Sequence, residues 1–491
     1  MQTSRRAFFQ HLAQAVPKPA PMAVDVRLTD IDPLQHLLKR ATWGITPKMV
    51  EHGQAIGPTA WLEEQLNPEQ LSDNLLDEKM RLQPIWKMSR REIYDTYYDV
   101  EYEIPKRIIE GVFYRAVYSE KQLFERMIDF WRDHFSISEE IDYPIELILF
   151  EKDVLAEHAL GNFRDLLIAS SRHPAMLVYL DNYVSSKEAP NENFARELLE
   201  LHTLGVDGGY SEEDIRETAR AFTGWTIHNG TKDGFFFDAE MHDTGRKSLL
   251  DTTLPAGRGI EDGLHVLSVL ARHPQTARFL STKLCRRFVS DQPPLSLIES
   301  TTQVWINSDG DIKSVLRHIF TSAEFYESAG QKYMRPFEYV TAMFRATGND
   351  VVHYYALEEM LLRMGQYPHG WHPPNGYPDV AGAWINTGSL LNRWNTAMVM
   401  THETHENIYD SWGFLSRLNE QLDEPKTAGE LVDQISLRLW GQMVQGPART
   451  QFIDYVSDGA GANEPLSARL YAKKMASTFG LMMASPTFQW R

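Results

Sequence analysis

Cysteine is almost absent: Cys285 is the single thiol in 491 residues. One thiol builds neither an internal disulfide framework nor a cysteine-rich metal centre. No run of about 18 apolar residues occurs, so no segment reads as a membrane-spanning helix. Basic charge is short: 49 Lys and Arg stand against 67 Asp and Glu, a formal net charge of −18. A chain with that balance offers no general basic face for nucleic acid or for an anionic membrane. Fixed-period repeats and low-complexity tracts are missing as well. So are the Gly-x-Ser-x-Gly nucleophile elbow and the phosphate-binding loop, and Gly459-Ala460-Gly461 lacks the third glycine of a dinucleotide fingerprint. Asn307-Ser308-Asp309-Gly310-Asp311 places its glycine too early for a calcium loop and reads as a turn before a helix. In His402-Glu403-Thr404-His405-Glu406 the second histidine falls at i+3, so the zincin spacing fails, and only a His402/Glu406 ligand pair is geometrically open.

What remains is a core-forming composition, 43% hydrophobic and 24% charged. The length allows about three domains of roughly 150 residues. Helix signals dominate from about residue 29. Asp32-Pro33 opens a helix that Gly44 closes, and Thr46-Pro47 opens another. Leu123, Phe124, Met127, Phe130 and Trp131 recur at helical spacing through residues 120–135. Ser211 and Asp214 form a capping box before Ile215–Phe222. Further windows at 263–271, 276–289, 311–325, 335–346 and 356–364 repeat the pattern. The one clear strand is Gly234-Phe235-Phe236-Phe237. The expectation is therefore an all-α protein: one large multi-helical domain over 29–491, with a loop-rich insertion near 226–258 and an aromatic, proline-rich loop near 367–384. A split near 330–350 is the alternative.

Residues 1–28 read separately. Ser4-Arg5-Arg6 followed by Phe8 and Phe9 has the pattern of a twin-arginine export leader. The apolar segment after it is short and is followed by Pro17, Pro19 and Pro21. The leader implies a periplasmic or secreted protein; a basic arm of a cytoplasmic protein is the other reading.

Several clusters carry chemistry. If residues 191–205 form a helix, Asn193, Glu197 and Glu200 lie within about 60° of one another. Carboxylates so placed need a cation when buried: a metal, a shared proton or arginines. Glu197 and Glu200 with Asp133 and His134 make a hard-ligand set for a divalent metal. Glu197 and Glu200 with His242 and Asp243 make a general acid/base group. Against both stands a structural network, with Arg132, Arg196, Arg216 and Arg220 as the partners, and His202 read as a satisfied core histidine. Trp371, His372 and Trp384, with Arg393, offer indole faces and polar groups suited to a sugar ring, which makes a glycan the expected ligand; a proline-fixed loop packed on helix ends is the alternative, as is a surface Asx turn for Asp243.

The run Asn191-Glu192-Asn193-Phe194-Ala195-Arg196-Glu197-Leu198-Leu199-Glu200-Leu201-His202-Thr203-Leu204-Gly205 resembles that of the DUF 1800 family, bacterial proteins of unknown function. So do Gly161–Leu167, His173–Leu177, Tyr179–Asn182, Ala219–Trp225, His242–Lys247, Arg335–Glu338 and Arg393. The resemblance is strongest over 33–400. It implies an exported protein with a twin-arginine-type leader and, as a partner, an exported phosphatase/sulfatase-like protein. It transfers no catalytic residues. Two functions follow as expectations: a carboxylate- or metal-dependent, hydrolase-like enzyme acting on an extracytoplasmic polymer or glycan, or a non-catalytic binding or assembly protein.

Overall fold

Asp32 begins the first helix, α1 (Pro33–Ala41), by accepting the backbone N–H of Leu34 at 2.7 Å, and Pro33 takes the first turn, where no N–H is needed. The computed structural model describes residues 32–228, 231–349, 354–401 and 422–491; the twin-arginine segment and His402/Glu406 lie outside them. Helices continue through α2 (Ile104–Tyr118) and α3 (Gln122–Phe135), and α3 is buried on nearly every face. Its apolar side carries Leu123, Met127, Phe130 and Trp131; its other side carries Glu125, Arg126, Asp129, Arg132 and Asp133. Ser136, in the left-handed conformation with φ 32°, ends it.

Two π-helical segments, Glu151–Ala156 and Leu198–Thr203, pack against α3. Between them lies α4 (Phe163–Arg172), and α5 (Glu192–Glu197) leads directly into the second. The stretch 191–205 is therefore α-helical only to Glu197. Beyond it the Leu204 N–H reaches back five residues to the Leu199 carbonyl (2.8 Å), and the Thr203 hydroxyl donates to Leu198 O (2.6 Å). A 100° helical wheel loses its register there.

The capping box at Ser211 and Asp214 starts α6 (Glu212–Ala221) as expected. The insertion then forms two antiparallel hairpins, β1 (Trp225–Ile227) with β2 (Phe235–Phe237) and β3 (Lys247–Leu249) with β4 (Thr252–Leu254). Only β2 had an alternation signal. Downstream come α7 (Pro274–Phe288), α8 (Pro336–Thr347), α9 (Thr387–Val399) and α10 (Ala468–Ala484). The helix expected over 311–325 is interrupted at Ser322, whose hydroxyl accepts the Phe325 N–H at 3.2 Å and caps a new short helix. Every residue of α8 is buried. One continuous apolar cluster runs from Leu34 to Phe488, including Trp43, Trp61, Trp131, Trp225 and Trp305. A smaller one gathers Tyr333, Tyr377 and Trp384 beside the aromatic loop. Among the described residues the architecture is all-α apart from these two small sheets. The last residues pair backbone to backbone with 332–334, through Met334 N to Gln489 O (2.9 Å) and Arg491 N to Lys332 O (2.9 Å).

Candidate functional site

The polar side of α3 is buried against other polar side chains, and buried charges persist only when paired and hydrogen-bonded. Asp129 accepts from Arg132 (3.0 Å) and Arg335 (2.6 Å). Asp133 accepts from Arg287 at 2.8 Å and also from Arg335. Arg132 forks onto Glu151, whose other neighbour is His369 Nε2 at 3.0 Å. Glu338 binds Arg126, the Arg335 backbone N–H (2.8 Å) and Arg491 (2.5 Å). Asp379 bridges Arg287 and Lys332, each at 3.0 Å. Burial alone would raise these carboxyl pKa values, but the guanidinium charges hold Glu151, Glu338 and Asp379 well below the usual carboxylate range. The lattice is sealed at Glu151 and Glu338 and reaches solvent at Asp133 (15% exposed) and Asp379 (18%).

Asp133 thus spends its carboxylate on two arginines. His134 is buried; its Nε2–H donates to His202 O (3.1 Å), which leaves Nδ1 to accept from Lys283 Nζ (2.9 Å). Burial, then the Lys283 charge, keeps that imidazole well below the usual histidine range. Lys283 is half-buried, and desolvation pushes its ammonium down to about 8. His202 is buried beside Phe135 and His134, with its Nε2 unpartnered.

His242 and Asp243 sit in another part of the molecule's bonding. His242 Nδ1 lies 2.8 Å from Thr223 O, and its Nε2 faces Asp262 Oδ2 at 3.5 Å. Asp243 takes both Arg220 Nε (2.7 Å) and Nη2 (3.2 Å) and accepts the Gly245 N–H at 2.7 Å, the Asx turn of the alternative reading. Buried Lys247 closes the group through Asp262 at 2.8 Å. These bonds staple the hairpins to α6.

Arg132 pairs with Asp129 and Glu151, and Arg220 with Glu217 and Asp243. Glu200 lies 3.7 Å from Arg196, which also binds Glu212 (2.8 Å), and both Glu197 and Glu200 are half-exposed. Among the described residues no three His, Cys, Asp or Glu side chains stand as ligands of one metal ion.

The aromatic loop lies over the end of α3. Gly376 (φ 72°) backs onto Asp133 so closely that a Cβ would meet its carbonyl oxygen at 2.0 Å, and Ser136 Oγ donates to Pro373 O at 3.1 Å. Trp371 is half-buried, its ring 5.0 Å from that of Tyr377 and its Nε1–H donated to Asn375 at 2.8 Å. His372 is exposed, 3.1 Å from Glu140. Trp384 and Arg393 turn inward: Trp384 donates to Pro378 O (2.9 Å), and Arg393 lies between the Tyr333 and Tyr339 rings, donating to Met334 O (2.7 Å).

Tyr179 joins the two regions. Its hydroxyl donates to His372 O at 2.6 Å, and burial followed by the Glu197 charge pushes its phenol upward. Glu139 lies on the same side: Tyr367 donates to it at 2.6 Å, its own N–H binds His369 O at 2.9 Å, and desolvation raises its carboxyl. Neither Tyr179 nor Glu139 had a spacing signal; each acquires its place by folding. Tyr179 thus brings the His372 backbone within reach of the Glu197 charge, and Glu139 holds the same loop through Tyr367 and His369.

No curated protein and no solved structure matches this chain. Residues 36–490 match the family described as protein of unknown function (DUF1800). With nearly its whole length inside that match, the chain belongs to the DUF1800 family.

Proposed function

We propose that this protein recognises a hydroxyl-rich extracytoplasmic polymer, a glycan, on the face built by Trp371, His372, Tyr179 and Glu197. The observation that carries the reading is the 2.6 Å hydrogen bond from Tyr179 to His372 O, which joins the acidic stripe to the aromatic loop. An indole edge beside carboxylates and an imidazole suits a pyranose: its C–H face stacks on the ring, and its hydroxyls donate to the acids. Asp133, His134, His242, Asp243, Trp384 and Arg393 all bond within the fold, which favours recognition or assembly, with an exported phosphatase/sulfatase-like protein as partner, over chemistry at those residues. The location outside the cytoplasm rests on the twin-arginine pattern at Ser4-Arg5-Arg6.

One observation favours a hydrolase at the same face. Glu139 holds its proton to higher pH than an ordinary carboxyl because it is desolvated, as a general acid must, and Glu197 supplies a second carboxylate. Sedimentation with peptidoglycan, chitin and cellulose tests the first reading. The wild type is retained on at least one, while Trp371→Ala and His372→Ala are retained less, with unchanged unfolding midpoints. Retention on none, or equal retention of the variants, overturns it. Release of reducing ends that Glu139→Gln and Glu197→Gln abolish would establish the hydrolase.

A further inference from the structure

Helix α9 is apolar on the side that a surface helix keeps charged. Its inner side carries Ser389, Arg393, Thr396 and Ala397, all buried. On its outer side Leu390, Leu391 and Trp394 fall within about 100° of one another. Leu391 is 56% exposed and Trp394 57%. Half-buried Met398 continues the stripe by one turn. Arg393 is the sole charged side chain between residues 380 and 401, in a chain that is 24% charged.

Neighbouring helices extend the patch. Asn392 Nδ2 donates to Arg363 O at 2.6 Å, which brings the helix Tyr354–Met364 alongside with its Leu362 49% exposed. Helix α10 packs against α9 as well: a Cβ on Gly480 would meet Met398 Sδ at 2.8 Å, and the next residue, Leu481, is exposed. Leu362, Leu390, Leu391, Trp394 and Leu481 together expose roughly 450 Å² of apolar surface, the size of the largest patch on a typical monomer and of patches that serve as interfaces. Exposed Thr387 and Asn395 and the Glu359–Arg363 pair add a polar rim. Core and rim together approach the about 800 Å² that each partner contributes to a standard interface.

Charge selects what covers this face. Two copies at a net charge of −18 repel one another over most of their surface, and here they meet without juxtaposing like charges. The same net charge repels an anionic bilayer, and a helix that lies in a membrane surface sets Lys and Arg beside its apolar face, which α9 does not. A second copy brings an identical charge-free face by symmetry.

We propose that α9 is the contact helix of a two-fold homodimer, with Leu390, Leu391 and Trp394 of each copy packed against those of the other. Nothing in the glycan reading enters this assignment, and either can fail alone. Sedimentation equilibrium of the full-length protein is the test, because each chain weighs 56.5 kDa and a dimer twice that. The wild type should be dimeric at about 100 µM, above the weak end of the affinities that interfaces of this size reach. Leu391→Glu and Trp394→Glu should each raise the dissociation constant by about a hundredfold or more, since a two-fold interface carries every change twice. Both positions are more than half exposed, so their unfolding midpoints at monomer concentrations should match the wild type. Leu82→Glu, at a leucine 67% exposed elsewhere, should stay dimeric. Leu391→Cys gives a second readout without added charge: its maleimide labelling should slow as protein concentration rises, with buried Cys285 not competing. A wild type that stays monomeric, whether or not it sediments with phosphatidylcholine vesicles, overturns the proposal. So does a dimer that Leu391→Glu and Trp394→Glu leave intact, or a Leu391→Cys labelling rate that ignores concentration.

Discussion

Glu338→Gln probes the charged lattice at its most enclosed point. The carboxylate is 1% exposed and receives Arg126, Arg491 and the Arg335 backbone N–H, with Arg287 at 3.8 Å. Glutamine conserves the volume and one acceptor oxygen while removing the charge, so at least two guanidiniums lose their counterion. Removing one partner of a buried pair costs about 3–5 kcal/mol, a large share of a total stability of about 5–15 kcal/mol. Urea unfolding at pH 7 should show a lower midpoint at unchanged slope. The pH dependence has a definite sign. The folded pKa lies well below the ordinary value and the unfolded one near about 4.3. The Glu338 contribution is therefore fully present above about pH 5 and is lost progressively as pH falls toward the folded pKa. Wild type and Glu338→Gln should consequently converge in acid. A difference under about 1 kcal/mol at pH 7, or one that stays constant from about pH 7 to about pH 3, would refute the claim that this carboxylate neutralises the arginines.

One further substitution and one labelling experiment test the same region. Gly376→Ala places a methyl group 2.0 Å from Asp133 O at a φ of 72°; it should cost at least about 1–3 kcal/mol of stability and displace the Trp371 loop, read as a lower unfolding midpoint with reduced polymer retention. Retention unchanged at a wild-type midpoint would contradict that packing. Lys283, brought down to about 8 by desolvation, should react with trinitrobenzenesulfonate with a pH midpoint near about 8 and ahead of the exposed lysines. Labelling that begins only near about pH 10, the range of an ordinary lysine, would contradict the desolvation of that ammonium.

Local pattern made the helices legible. Asp32-Pro33, the Ser211/Asp214 box, and the apolar spacing in α3 act within one or two turns, so residue type alone specifies them. The turn at Asn307–Asp311 was readable for the same reason: Gly310 takes φ 79° and Asp311 caps the next helix. The π turn after Glu197 was not, because an α wheel assumes the register that Leu199 and Leu204 abandon. Charge partners were legible only by type. The arginine-rich network was one of two expectations, yet its members, Asp129, Glu151, Arg287, Arg335, Glu338 and Asp379, mostly differ from the residues expected in it. Arg491, at the far end of the chain, completes it across the fold.

Composition and spacing alone determined the helical class, the caps, the resemblance to its family and the aromatic character of the loop at 367–384, since each depends on near neighbours or on residue type. Tertiary structure alone decided that Asp133 faces arginines and that Tyr179 ties His372 to the Glu197 side. Those outcomes depend on which residues, distant in sequence, meet in space, and whether a carboxylate or imidazole acts as a strut or faces a ligand depends on the partner it meets there.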